Sequence, residues 1–364
     1  MQDFRIHVTD DELADLDQRL ENTILPASRA GADPGDWSRG IPPAVLADLV
    51  EYWRTVYDWR SVERRLNGFE QHTVEVDGCR IHVARVGEAR PGRLPIVLTH
   101  GWPYTFAAML PLAEALSGEL EVVVPSVPGY GFSSPLPGPY GSRAVAERWN
   151  TLMTDVLGHD RYLTYGEDVG AEVSDYLAAT HPASVAGIVA THASFSARER
   201  PGVELDDAER AFLASVAPAT ESGYAHLQGT RPDTLAAALL DSPSGLLAWI
   251  TEKVAGWSDG TALETFDVDE VLTNTMLYWI SRSIGTSFRP YSDDAGDPLH
   301  PLIEVPAAIV VQTHEAAYPR SLAEKSYTDI RSFERLEHGG HFTAWEAPGA
   351  VAATVLALEA QVRG

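Results

Sequence analysis

The hydrophobic and polar positions of this chain form short apolar runs separated by stretches with helical periodicity. Six runs stand out, at residues 96–99, 121–125, 162–165, 185–190, 307–311 and 330–336. Runs of this length are typical of buried strands, and their alternation with amphipathic stretches is typical of β-α-β units. The pattern therefore predicts an α/β protein with a mostly parallel sheet.

Helical patterns precede the first run. Residues 9–21 are amphipathic, with Thr9 as a candidate N-cap and leucines at positions 13, 16 and 20. Residues 42–56 and the segment WRSVERRLNGF predict a second and a third helix. We expect these helices to pack across the sheet.

Two more strands complete the predicted sheet. Residues 73–76 and 80–86 alternate in polarity and flank Asp77-Gly78, a strong hairpin signal. With the six apolar runs, they predict an eight-stranded sheet. Residues 206–281 show helical patterns without strand signals, which predicts a helical lid inserted over the carboxyl edge of the strands.

These elements predict four segments. We expect a helical meander packing on the core at 1–70, the first part of the core at 71–195, the lid at 196–285 and the second part of the core at 286–364.

Composition narrows the range of functions. The 364 residues carry a formal net charge of −25, which argues against binding to nucleic acid or to anionic membranes. The single cysteine, Cys79, cannot form an internal disulfide, as expected in a reducing cytoplasm. The N-terminus lacks a signal-peptide pattern, and no run of 18 apolar residues occurs, so we expect a soluble cytoplasmic protein.

The most informative motif is Gly166-Glu167-Asp168-Val169-Gly170, which follows an apolar run and precedes a helical pattern. It is the G-x-S-x-G nucleophile turn with Asp in place of Ser. A serine that opened an epoxide or an alkyl halide would leave an ether, whereas a carboxylate leaves an ester that activated water can cleave. Asp168 therefore predicts attack on saturated carbon.

A second motif supplies candidate oxyanion donors. His100-Gly101-Trp102-Pro103 follows the run at 96–99, where a strand-end loop supplies one amide of an oxyanion hole in hydrolases with such a turn. We expect the amides of Trp102 and Val169 to form the pair.

His341 is the candidate general base. It lies in HGGHF after the last predicted strand, and a helix is predicted at 347–362. His338 is a competitor, but it precedes the glycine turn and is better explained as a solvated loop residue.

Glu315 is the candidate acid that orients the base. It follows the strand predicted at 307–311 and gives the chain order Asp, acid, His. Asp293, Asp294 and Asp297 are less well placed alternatives.

These motifs resemble the microsomal type of epoxide hydrolase, a branch of the α/β-hydrolases with an N-terminal meander. Ten blocks carry the resemblance in the family's order: DDELADLDQRL, YWRTVYDWRSVERRLNGFEQH, HGWP, PSVPGYGFSS, GEDVGAEVSDYLAATHP, ESGYAHLQGTRPDT, DSPSGLLAWITEK, VLTNTMLYW, SFRPYSDD and GGHFTAWEAP. The resemblance implies the α/β-hydrolase fold and maps the family's nucleophile, base and acid onto Asp168, His341 and Glu315. It also implies that Tyr224 and Tyr291 bind the epoxide oxygen.

The implied activity is hydrolysis of a small-molecule epoxide to a vicinal diol through an aspartate ester, with water as co-substrate and no cofactor or metal. Phosphate-loop and metal-binding motifs are absent from the sequence. Dimers are common among similar enzymes, and the sequence leaves the oligomeric state open.

Two departures from the family pattern stand beside the nucleophile. Similar enzymes often have Gly before and Trp after it, where this chain has Glu167 and Val169. Neighbouring side chains at a strand end point to opposite sides, so we expect Glu167 to turn away from the pocket. No segment of the sequence resembles the family's membrane anchor, so we expect a soluble enzyme.

Two other functions remain open. A haloalkane dehalogenase uses the same aspartate and histidine chemistry, although it often holds its halide with a Trp where this chain has Val169. A non-catalytic binding protein of the same fold is the other, and the set of Asp168, Glu315 and His341 argues against it.

Overall fold

The computed structural model describes residues 1–27, 33, 35–216, 223–260, 263, 265–293 and 295–364. Within these ranges the strands are β1 (Gln2–Asp3), β2 (Glu70–Val76), β3 (Cys79–Val86), β4 (Ile96–Thr99), β5 (Val122–Pro125), β6 (Tyr162–Gly166), β7 (Val185–Ala190), β8 (Ala307–Val311) and β9 (Ile330–Arg335). The α-helices are Asp10–Glu21, Pro43–Thr55, Trp59–Leu66, Leu110–Ser117, Ser142–Thr151, Val169–Thr180, Asp207–Val216, Gly223–Thr230, Pro232–Asp241, Pro243–Trp257, Val268–Ser281, Arg289–Ser292, Arg320–Ala323, Thr343–Glu346 and Pro348–Val362.

The strands form one sheet in the order β1-β2-β3-β5-β4-β6-β7-β8-β9. The pairs β1–β2, β2–β3 and β3–β5 are antiparallel, and the remaining pairs are parallel. The sheet and its flanking helices confirm the predicted α/β-hydrolase fold. The described residues form nine strands rather than eight, because Gln2 and Asp3 add a short edge strand beside β2.

Local chemistry explains why the first elements form where they do. Thr9 and Glu12 make a reciprocal capping box that starts helix Asp10–Glu21, which satisfies two otherwise unpaired amides. Asp77 and Gly78 both have positive φ, 47° and 72°, as the tight turn between β2 and β3 requires. The N-cap and the hairpin predicted from sequence are both confirmed.

The N-terminal helices pack against the insertion between β7 and β8. Helices Asp10–Glu21 and Pro43–Thr55 pack against helix Pro243–Trp257, which belongs to the insertion between β7 and β8. Arg19 adds a hydrogen bond to the carbonyl of Asp241, at 2.9 Å. The N-terminal helices therefore contact the insertion directly.

The parallel strands bring their carboxyl ends to one edge of the sheet. There β4 leads into Trp102, β6 into Asp168, β7 into His192 and β8 into Glu315. This is the edge at which open α/β sheets place their sites. Across the described part of the chain, no helix has both the length and the apolar character needed to cross a membrane.

Candidate active site

Asp168 lies on a sharp turn between β6 and helix Val169–Thr180. Its backbone has φ 53° and ψ −122°, a conformation that costs energy for a residue with a side chain. A Cβ at position 166 would lie 2.0 Å from the carbonyl oxygen of Gly170, and a Cβ at position 170 would lie 2.2 Å from that of Thr99. Both flanking glycines are therefore required sterically for this turn.

Two backbone amides face the Asp168 carboxylate. The Trp102 amide donates to Oδ1 at 3.0 Å, and the Val169 amide also donates to the carboxylate. Burial raises the pKa of Asp168, while these two donors lower it by stabilising the charged form. The structure thus places both predicted oxyanion donors on the carboxylate, with the Trp102 amide on Oδ1.

His341 lies against the other carboxylate oxygen. Its Nε2 is 3.6 Å from Asp168 Oδ2. Burial, followed by the nearby His314, lowers the pKa of His341 to about 3, so the imidazole is neutral at neutral pH and can accept a proton. The backbone amide of His341 donates to the carbonyl of Trp257 at 3.0 Å, which anchors the loop to the insertion. His338, in contrast, is 92% exposed.

An aromatic cluster brings both predicted tyrosines beside the nucleophile. The rings of Trp102 and Tyr224 are stacked, with centroids 5.3 Å apart, and Tyr291 meets Tyr224 edge to face at 5.8 Å. Burial, then the Asp168 charge, raises the pKa of Tyr291, so its hydroxyl keeps its proton. Trp257 lies between Tyr224 and His341, at 5.0 and 5.1 Å.

A cavity of about 400 Å³ lies beside the nucleophile and both tyrosines. Among its described lining residues are Asp168, Val169, Tyr224 and Tyr291. A cavity of this size can enclose a small organic molecule. An adjoining cavity of about 370 Å³ also reaches Asp168 and extends to Glu315.

The structure does not bring Glu315 into contact with His341. His341 Nε2 lies 3.6 Å from the Asp168 carboxylate, whereas the Glu315 carboxyl accepts a hydrogen bond from Gln312. Burial raises the pKa of Glu315 to about 7. The predicted orienting hydrogen bond is therefore not formed in this conformation.

The alternative acids are engaged elsewhere. Asp293 accepts from the amide of Tyr140 at 2.8 Å and from Arg289 at 2.7 Å, and Asp297 accepts from the amide of Arg143 at 3.1 Å. Both thus hold the start of helix Ser142–Thr151. Asp294 lies outside the described residues.

Sequence reasoning missed His192, which follows β7. Its Nδ1 accepts a hydrogen bond from the backbone amide of Asp168 at 3.1 Å, and its Nε2 donates to the carbonyl of His341 at 2.9 Å. The sequence did carry one signal for His192, which lies just past a predicted parallel strand. Residues at such positions line the edge of the sheet where open α/β folds place their sites.

Glu167 turns away from the cavity, as predicted, and is completely buried. Its Oε1 accepts from the amide of Ala344 at 2.6 Å and from the Tyr165 hydroxyl. Burial raises the pKa of Glu167 to about 8, although these donors and the Tyr104 phenol lower it. The carboxyl is therefore mostly protonated at neutral pH and links the nucleophile turn to the segment after His341.

Comparisons with known proteins show the family to which the chain is similar. The family described as "Epoxide hydrolase N terminus" matches residues 1–109, and the family described as "alpha/beta hydrolase fold" matches residues 95–230. Epoxide hydrolase 1 of Sus scrofa is 31% identical over 398 residues, covering 95% of this chain and 85% of the relative.

Solved structures give the same result. The juvenile hormone epoxide hydrolase of Bombyx mori superimposes with a TM-score of 0.85 at 27% identity, covering 100% of this chain and 94% of that one. The Aspergillus niger epoxide hydrolase has a TM-score of 0.85 at 28% identity, covering 99% and 96%. On these grounds the chain belongs to the epoxide hydrolases, a family of enzymes within the α/β-hydrolase superfamily.

Proposed function

We propose that this enzyme converts an epoxide to a vicinal diol through a covalent ester on Asp168. The observation that carries the proposal is the carboxylate itself. Oδ1 is held by an amide, Oδ2 lies 3.6 Å from a neutral imidazole, and the same cavity is lined by Tyr224 and Tyr291. A nucleophile and two candidate acids therefore line one cavity, and a candidate base lies against the nucleophile.

In the first step, Oδ2 of Asp168 attacks an oxirane carbon and the ring carbon–oxygen bond breaks. Charge develops on the epoxide oxygen, and we expect the phenols of Tyr224 and Tyr291, which line the cavity, to hydrogen-bond it and one of them to donate a proton. The product is a hydroxyalkyl ester of Asp168.

In the second step, His341 takes a proton from water, and the resulting hydroxide attacks the ester carbonyl carbon of Asp168. The amides of Trp102 and Val169 stabilise the oxyanion because they already donate to this carboxyl group. The ester bond breaks, and the diol leaves with the oxygen that Asp168 had contributed. The proton on the new Asp168 carboxyl goes to the leaving alkoxide, and the proton held by His341 returns to the tyrosine that donated in the first step, so Asp168 is again a carboxylate. Glu315 is the proposed partner of His341 once the base is charged.

The test combines a substrate panel with three variants. Wild-type enzyme should form diols from styrene oxide or from bulkier aryl and alicyclic epoxides. Asp168→Ala should form none while keeping its fold, and His341→Gln should accumulate the ester, detected as a mass increase on the Asp168 peptide. His338→Gln is the matched control at an exposed position and should behave as wild type. Halide release from a chloroalkane without diol formation would instead favour a dehalogenase.

A further inference from the structure

His192 has no part in the two chemical steps, yet it contacts both residues that carry them. An amide can only donate and a carbonyl can only accept, so the bonds to Asp168 N–H and His341 C=O require a bare Nδ1 and a protonated Nε2. Burial, then the neighbouring His341, lowers the pKa of His192 to about 3. The imidazole therefore remains in the one neutral form that can make both bonds.

Each of the two bonds satisfies a backbone group at a critical position. Asp168 is the N-cap of its helix, so its amide has no partner within the helix. The peptide groups on both sides of His341 are held, since its amide donates to Trp257 and its carbonyl accepts from His192. The rings of His192 and His341 also meet edge to face, with centroids 4.6 Å apart.

We propose that His192 is a positioning residue that sets the nucleophile and the base relative to each other through these two hydrogen bonds. The inference rests on the proposed function, because its consequences are read in the two half-reactions. The bond to Asp168 supports ester formation, which depends on the strained turn. The bond to His341 supports ester hydrolysis, which depends on the placement of the imidazole.

Two substitutions separate the bonds. Asn places its amide at the level of Nδ1, so His192→Asn can still accept from the Asp168 amide but does not reach the His341 carbonyl. Gln places its amide at the level of Nε2, so His192→Gln can still donate to the His341 carbonyl but loses the acceptor for Asp168. His192→Phe keeps an aromatic ring and removes both bonds, and His7→Gln is a control at an exposed position.

Rapid mixing with styrene oxide separates the two steps. Because Trp102 and Trp257 adjoin the site, their fluorescence should change as the ester forms and decays. We expect His192→Asn to slow hydrolysis about tenfold and ester formation less than about twofold. His192→Gln should show the reverse split, His192→Phe should slow both steps, and His7→Gln neither. A purely structural role would lower the melting temperature and change both steps alike. Equal slowing of both steps by the Asn and Gln variants, or no slowing, would overturn the proposal.

A measurement on the wild-type protein does not depend on variants or turnover. Nitrogen-15 chemical shifts of the His192 ring should report protonated Nε2 and bare Nδ1. The opposite tautomer would overturn the proposal even in a fully active enzyme. Absence of diol and of ester with every epoxide would instead overturn the proposed function, and the ring shifts would still decide whether the two hydrogen bonds exist.

Discussion

Replacing Glu167 by Gln tests the buried hydrogen bonds that connect the nucleophile turn to Ala344 and Tyr165. Gln is isosteric with the protonated carboxyl, and its oxygen can accept from Ala344 and Tyr165 as Oε1 does. Burial raises the pKa of Glu167 from 4.5 to about 8. The folded protein thus keeps a proton that the unfolded chain releases, and the wild type becomes less stable relative to Glu167→Gln as pH rises between these two values.

The magnitude follows from the same shift. Each pH unit in this window changes the difference in unfolding free energy by about 1.4 kcal/mol, or about 4 kcal/mol from pH 5 to pH 8. Urea denaturation of both proteins at pH 5, 6, 7 and 8 measures the difference directly, so contributions from other buried groups cancel. Glu337→Gln, at an exposed position, is the control and should differ from wild type by a constant amount. A constant difference for Glu167→Gln as well, or one that grows toward low pH, would refute the reasoning.

Three further changes test the cavity. Tyr291→Phe should slow ester formation roughly a hundredfold by removing one proton donor, whereas an unchanged single-turnover rate would exclude it from ring opening. Gly101→Ala would place a Cβ 2.5 Å from the Asp168 Cβ, so kcat/KM should fall roughly a hundredfold. Gly256→Ala, whose Cβ would point into open space beyond its own helix, should leave kcat/KM unchanged, and equal values for both variants would contradict the close approach. Glu315→Gln should slow ester hydrolysis at least tenfold in rapid-mixing experiments if the carboxylate reaches charged His341, and an unaltered rate would remove Glu315 from the catalytic set.

Much of the fold could be predicted because apolar runs in parallel sheets carry a strong signal. The strands at 96–99, 185–190 and 307–311 have the predicted bounds, and the Asp77-Gly78 hairpin is confirmed. The short strand β1 could not be predicted, because two residues are too few to show a periodicity. It joins the sheet by pairing with β2.

Trp102 and His341 could be identified because each lies in a recognisable motif after a predicted strand, and the structure brings both to the Asp168 carboxylate. His192 could not be identified in the same way, because its importance comes from the adjacency of β6 and β7, which only the sheet order reveals. The burial of Glu167 likewise depends on Ala344, which is 177 positions away along the chain.

Oxygen-18 transfer in a single turnover measures the origin of the diol oxygen. With enzyme in excess over epoxide in oxygen-18 water, the label should enter the Asp168 carboxyl, found by mass spectrometry of its peptide, and the first diol released should be unlabelled. Labelled diol in that first turnover, with an unlabelled Asp168 peptide, would mean that water attacks the epoxide directly and that no ester forms.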